Sequence, residues 1–138
     1  MYEFPRKVSY YETDAMGVVH HSNFYRYFED ARVAMMEHWG LDFGSDDLKG
    51  IVLAVVTSEC QYKKPLRFGD RFLVKLQARQ LGPARVEFQY LISTATDATT
   101  IALGRTIHVP VNGSLAPVRI AASLAKILEK LPWNETLL

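Results

Sequence analysis

One short segment concentrates the side chains able to do chemistry. Residues 14–32 read DAMGVVHHSNFYRYFEDAR. Asp14 opens the segment, Gly17 follows, and Val18 and Val19 lead to the adjacent imidazoles of His20 and His21. A carboxylate supplies an oxygen nucleophile or a base, and an imidazole exchanges a proton near neutral pH. Both stand just before residues patterned as a helix, whose start offers free N–H groups and the positive end of a dipole. A purely structural loop does not need that mixture. Simpler readings compete with the chemical one. An Asp before a Gly is commonly a turn or capping residue. His20 and His21 with His38 or His108 would make a metal set, but adjacent histidines rarely share a metal, and neither an i, i+4 His pair nor a Cys partner accompanies them. No metal is expected. Glu29 and Arg32, at i, i+3, read as a helix ion pair.

The elements that must position this segment follow from periodicity. Lys7 to Tyr11 is rich in β-formers and predicts a short strand carrying Tyr10. From Asn23, residues Phe24, Tyr27, Phe28, Ala31, Met35 and Trp39 recur at i, i+3, i+4 spacing and predict an amphipathic helix. At 1.5 Å per residue it runs roughly 24 Å, long for so small a chain. Ser22 or Asn23 is placed to cap it and Gly40 to end it. A polar turn, SDDLKG, precedes four strands. Ile51 to Tyr62 begins as a buried run and then alternates, while Phe72 to Arg79 and Arg85 to Thr94 alternate throughout, and Ile101 to Val109 is the last. The connections PLRFGD (65–70), Gly82-Pro83 and Asp97 carry turn residues, and short connections imply antiparallel neighbours. Ile120 to Leu131 predicts a second amphipathic helix. One helix ahead of a run of strands indicates α+β, with a sheet burying one face on the long helix. The remaining sheet edges are open, and open edges invite a second chain.

Composition narrows the function classes. The chain has 138 residues and a formal net charge of +1. That size suits one domain over residues 1–138, and the absence of a basic block argues against nucleic acid as partner. Cys60 is the single cysteine, so no disulfide forms within the chain. The first residues lack the apolar core of a signal peptide, and no stretch approaches the ~20 apolar residues of a membrane span. A cytoplasmic protein without membrane insertion is expected.

With these residues in view, the chain resembles the hot-dog-fold acyl-CoA thioesterases of the 4-hydroxybenzoyl-CoA thioesterase type, including the acyl-CoA thioester hydrolases associated with the Tol–Pal system. The matching residues are Asp14, Gly17, Val18, Val19, His21, Phe24, the segment Phe28-Glu29-Asp30-Ala31-Arg32, and the PLRFGD turn from Pro65 to Asp70. The likeness runs from about Val8 to about Val109. One departure is Phe24, where many relatives have Tyr, a change expected to touch packing and not chemistry.

The resemblance implies a long central helix wrapped by a curved antiparallel sheet. It also implies a homodimer or a dimer of dimers with sites at the subunit interface, an acyl-CoA substrate and no cofactor. It gives Asp14 the role of nucleophile or general base at the thioester carbonyl. The His21 backbone N–H becomes the donor to the carbonyl oxygen, and the His21 and Tyr10 side chains are site residues. Gly17 and Val19 fall in the substrate-binding loop. Lys63, Lys64, Arg67 and Arg85 are candidates for the phosphates of coenzyme A, although for each one singly a solvated charge is the simpler reading. The chemistry is consistent. A thiol leaving group with a pKa of about 8.5 departs without a strong acid, so the site must polarise the carbonyl and deliver an oxygen. A solvated carboxylate is a weak base, which favours direct attack but leaves general-base action open. A non-catalytic acyl-CoA-binding module and a hot-dog dehydratase are the alternatives; the second needs a His and acid in a different motif. The acyl group is not legible.

Overall fold

The computed structural model describes residues 1–41 and 48–138. In chain order the elements are β1 (Tyr2–Lys7), α1 (Asn23–His38), β2 (Val52–Tyr62), β3 (Arg71–Gln80), β4 (Val86–Thr94), β5 (Thr100–Val111) and α2 (Ala122–Lys130), with single 3-10 turns at Tyr10–Glu12 and Gly82–Ala84. The strands form one antiparallel five-stranded sheet in the order β1-β3-β4-β5-β2. Among the described residues, no helix is long and apolar enough to cross a membrane.

Alternation decides which sheet face is covered. Phe72, Val74, Leu76 and Ala78 of β3, with Val86, Phe88, Tyr90 and Ile92 of β4, are buried on one side. Onto them α1 lays Tyr27, Phe28, Ala31 and Met35, the centre of its apolar stripe. Phe28 stacks on Tyr90 with centroids 4.3 Å apart and planes 19° off parallel. Gly104 of β5 makes room for that ring: a Cβ there would stand 2.3 Å from Phe28 Cζ. The helix ends as expected at Gly40, whose φ is +72°. The Gly40 N–H donates to the Glu37 carbonyl and the Leu41 N–H to that of Met36, a left-handed cap that suits glycine. The second helix begins at Ala122, and Ile120, Leu124 and Leu128 join the core.

Four expectations need correction. The first strand is Tyr2–Lys7 and not Lys7–Tyr11, because its ladder with β3 runs from Tyr2↔Leu76 to Lys7↔Arg71, where β3 begins. Beyond Lys7 the ladder has run past the start of β3; Val8 bonds the loop residues Gly69 and Asp70, and the chain closes a turn in which the Ser9 N–H donates to Glu12 Oε1 at 2.7 Å. The early part of β2 is not buried: Val52, Val55 and Val56 are each more than half exposed, and among the described residues β2 is an edge strand paired with β5 alone. Nor are β2 and β3 neighbours despite the short connection. Residues 63–70 spend their backbone groups elsewhere, the Leu66 carbonyl on the Val19 N–H and the Asp70 carbonyl on the Val8 N–H. Finally, neither Ser22 nor Asn23 caps α1 through its side chain. Of the SDDLKG turn, Leu48–Gly50 forms a turn and Ser45–Asp47 lies outside the described residues.

Candidate active site

The loop between Glu12 and α1 is a small hairpin. Thr13 bridges Val19, the Asp14 N–H donates to the Val18 carbonyl at 2.8 Å, and the Gly17 N–H donates to the Asp14 carbonyl at 3.0 Å. Gly17 turns the chain at φ +78°, a conformation glycine adopts without steric cost. Asp14 Oδ1 accepts from the Met16 N–H at 2.8 Å and, more weakly, from the Val18 N–H at 3.4 Å. The carboxylate therefore supports the turn and still lines the cleft beside it. These two roles are compatible, since Oδ2 is left out of the turn bonds.

The base of the hairpin is held by Glu12. Its backbone carbonyl accepts from the His20 N–H at 2.9 Å and from Asn23 Nδ2 at 2.8 Å. Its carboxylate is buried and takes a bond from Arg6 at 2.9 Å. That commitment explains why Asn23 does not cap the helix. Ser22 fails for another reason: its backbone is already helical (φ −63°, ψ −26°), and its hydroxyl meets His20 Nδ1 at 2.8 Å. The start of α1 is thus left without a side-chain cap, and among the described residues nothing accepts from the His21 N–H. Unspent donors at a helix start, with the positive end of the dipole behind them, suit an oxygen that gains negative charge.

A cleft of about 310 Å³ opens here, with Asp14, Val19 and His21 on one wall and Tyr62, Lys63 and Lys64 on the other. Arg67 flanks it through its bridge to Val18, with its guanidinium over Gly17. A larger, more apolar cleft of about 620 Å³ lies between the second half of α1 and the start of β2. None of the residues 14–21 borders it, so the smaller cleft is the chemical candidate.

Five of the expected residues therefore meet in one cleft: Asp14, Val19, His21, Lys63 and Lys64. Gly17 shapes the hairpin. Tyr10 does not line the cleft; it sits in the 3-10 turn, three-quarters exposed, with its ring edge-on to Phe68 at 5.6 Å. Arg85 is also apart. It precedes Val86, which pairs with His108, whereas the Lys63 and Lys64 N–H groups bond the Ile101 carbonyl at the other end of β5. The separation along β5 is roughly 20 Å. The histidines do not converge either, since His108 is in the core and His38 packs on Tyr2 at the far end of α1. Among the described residues no group of three or more His, Cys, Asp or Glu side chains is arranged to hold a metal.

Two participants were not singled out by pattern. Glu12 is legible afterwards as the fourth residue of Ser9-x-x-Glu12, a capping-box spacing in which the Glu12 carboxylate takes the Ser9 N–H while the Glu12 N–H bonds the Ser9 carbonyl around a 3-10 turn. Tyr62 ends β2, and nothing in its local sequence marks it.

Comparison with known proteins gives the class. Residues 8–130 match the Thioesterase-like superfamily, and the chain belongs to that family. A 1,4-dihydroxy-2-naphthoyl-CoA hydrolase from Synechococcus elongatus is 31% identical over 109 residues, which cover 78% of this chain and 79% of that one. The crystal structure of a hypothetical protein from Aquifex aeolicus superposes with a TM-score of 0.84 at 32% identity, over 93% of this chain and 99% of that one. A 1,4-dihydroxy-2-naphthoyl-CoA thioesterase from Synechocystis shares the fold, with a TM-score of 0.85 at 24% identity over 94% of this chain and 96% of that one.

Proposed function

We propose that this thioester hydrolase cleaves an acyl-CoA to a free acid and coenzyme A at the cleft beside the start of α1. The observation that carries the reading is the meeting of Asp14, the unspent His21 N–H and the Lys63–Lys64 pair in one cleft. The thioester oxygen takes the His21 N–H, which steadies the oxyanion as it forms. Asp14 either attacks the carbonyl carbon, forming an anhydride that water then opens, or draws a proton from the attacking water. In both routes the carbon–sulfur bond breaks and sulfur leaves as thiolate. The lysines and Arg67 face the phosphates of coenzyme A. No cofactor takes part.

The sheet is read as curling around α1 within one hot-dog domain spanning residues 1–138. Two copies pair through the exposed edge of β2, as a dimer or a dimer of dimers, in the cytoplasm. An edge strand bearing Val52, Val55 and Val56 in solvent supports that reading. Tyr10 and Arg85 join the same site only if the second copy brings them there.

The test is turnover of butyryl-, benzoyl-, palmitoyl- and 1,4-dihydroxy-2-naphthoyl-CoA with detection of the released thiol. Hydrolysis of at least one is expected. Saturable binding of the panel with no thiol release would instead make the protein a binding module.

A further inference from the structure

We propose that Tyr62 is a positioning residue for the oxyanion donor: its phenol fixes the His21 carbonyl and thereby the backbone whose N–H receives the thioester oxygen. The proposal rests on the reading of His21 given above. Tyr62 is the last residue of β2, paired with Ala102. The strand end is pinned immediately after it, because the Lys63 and Lys64 N–H groups both donate to the Ile101 carbonyl, at 2.8 and 3.1 Å. The ring meets buried Phe24 edge-on, with centroids 5.1 Å apart and planes at 90°. It also stands edge-on to the His21 imidazole at 6.4 Å. Strand end and core ring together set where the phenol can go.

The Tyr62 hydroxyl donates to the His21 carbonyl at 3.1 Å. The helix supplies that carbonyl with one other donor, the Phe24 N–H, at a longer 3.3 Å. The preceding carbonyl, of His20, is held by the Asn23 N–H at 2.9 Å. The His21 N–H shares its peptide plane with the His20 carbonyl, which the Asn23 N–H holds; Tyr62 ties the next plane, on the far side of the His21 Cα, and so limits rotation of the first about that atom. The His21 N–H itself stays free to take a ligand. An oxyanion donor acts by being in place before charge develops, and small displacements of such groups are costly in rate. Tyr62 reaches from the sheet to the helix start across the cleft, so it also couples the wall carrying the lysines to the wall carrying Asp14.

Tyr62→Phe removes the hydroxyl and keeps the ring. Turnover is measured with whichever of butyryl-, benzoyl- or palmitoyl-CoA the wild type hydrolyses fastest, beside Asp14→Asn and with melting temperatures for both variants. The expected result is a kcat lower by about 3–30-fold with KM and melting temperature close to wild type, a graded loss from misplacement. In an Asp14→Asn background, the bound thioester's C=O stretch should move toward its solution frequency when Tyr62→Phe is added. Unchanged kcat overturns the proposal. So does a raised KM with normal kcat and an unmoved C=O stretch, which would make Tyr62 a wall of the substrate pocket. If Asp14→Asn turns over normally, the parent reading of the site fails; if it is inactive while Tyr62→Phe is normal, only the role of Tyr62 fails.

Discussion

The middle of α1 and its N-terminal end belong to one helix and use their polar groups in opposite ways. In the middle, Phe28 lies on Tyr90, and Arg32 donates to the Tyr90 hydroxyl at 3.0 Å. That hydroxyl meets Thr106 Oγ1 at 2.8 Å, which in turn meets His108 Nε2 at 2.9 Å. These four side chains are linked in one run of hydrogen bonds. At the N-terminal end His20, His21 and Ser22 are exposed, no side chain caps the helix, and the His21 N–H is unspent. Burial obliges groups to find partners, whereas a reacting site must keep some without one until substrate arrives. The hairpin is anchored through the Glu12 and Leu66 carbonyls, which leaves the His21 N–H available for the role proposed for it.

The contrast predicts separable effects. The largest falls on the packed middle. Gly104→Ala would place a methyl carbon 2.3 Å from Phe28 Cζ, so the ring would have to give up its stacking on Tyr90. Overpacking of this kind costs about 3 kcal/mol, read as a melting temperature lower by roughly 6–12 °C. Activity per folded molecule should persist. Next, Lys63→Glu, Lys64→Glu and Arg67→Glu together should raise KM about tenfold, equivalent to ~1.4 kcal/mol, with kcat and melting temperature little changed. An unchanged KM would return those residues to the role of solvated charges.

A pH-dependent effect concerns His108. Burial, and then the charge of Arg32, pushes its imidazole down to about 4 from an ordinary value of 6.5. The unfolded chain therefore binds this proton first as pH falls. The associated stability is complete above about pH 6.5 and is lost as pH drops toward and through 4. Denaturant melts from pH 7 to 4 should show that loss, and His108→Gln should flatten it. A variant with the same acid limb as wild type would assign the limb to other groups.

How much of this was legible depends on what each pattern encodes. The stripe from Phe24 to Met35 and the alternation in β3 and β4 report burial directly, and burial is what the fold delivered. Gly40 was legible because a helix end needs a left-handed residue. The start of β2 misled: a run of apolar residues signals a surface that avoids water but not which surface covers it, and among the described residues no strand pairs with this edge. The β2–β3 connection misled because chain length between strands does not record where the loop's hydrogen bonds go. Ser22 and Asn23 have the right chemistry for a cap, but their bonds were claimed by His20 and Glu12. At the candidate site, the residues close together in sequence and the lysine pair could be named as candidates from pattern. Tyr62 could not, because its proposed role rests on a contact 41 residues away along the chain, with the His21 carbonyl.

Asp14→Asn, measured for kcat, substrate affinity and melting temperature on one preparation, is the most direct test of the proposed chemistry. The amide oxygen can keep the turn bond to the Met16 N–H, so the hairpin should hold and the melting temperature should move little. Without the anionic oxygen, kcat should fall by about 10²–10⁴, the range for loss of a positioned acid–base group. Affinity for the intact acyl-CoA should be retained or improved, since the cleft walls and the helix start are untouched. A folded Asp14→Asn protein that turns over within about threefold of wild type, far short of such a loss, with or without reduced stability, would contradict the account and leave Asp14 a turn residue.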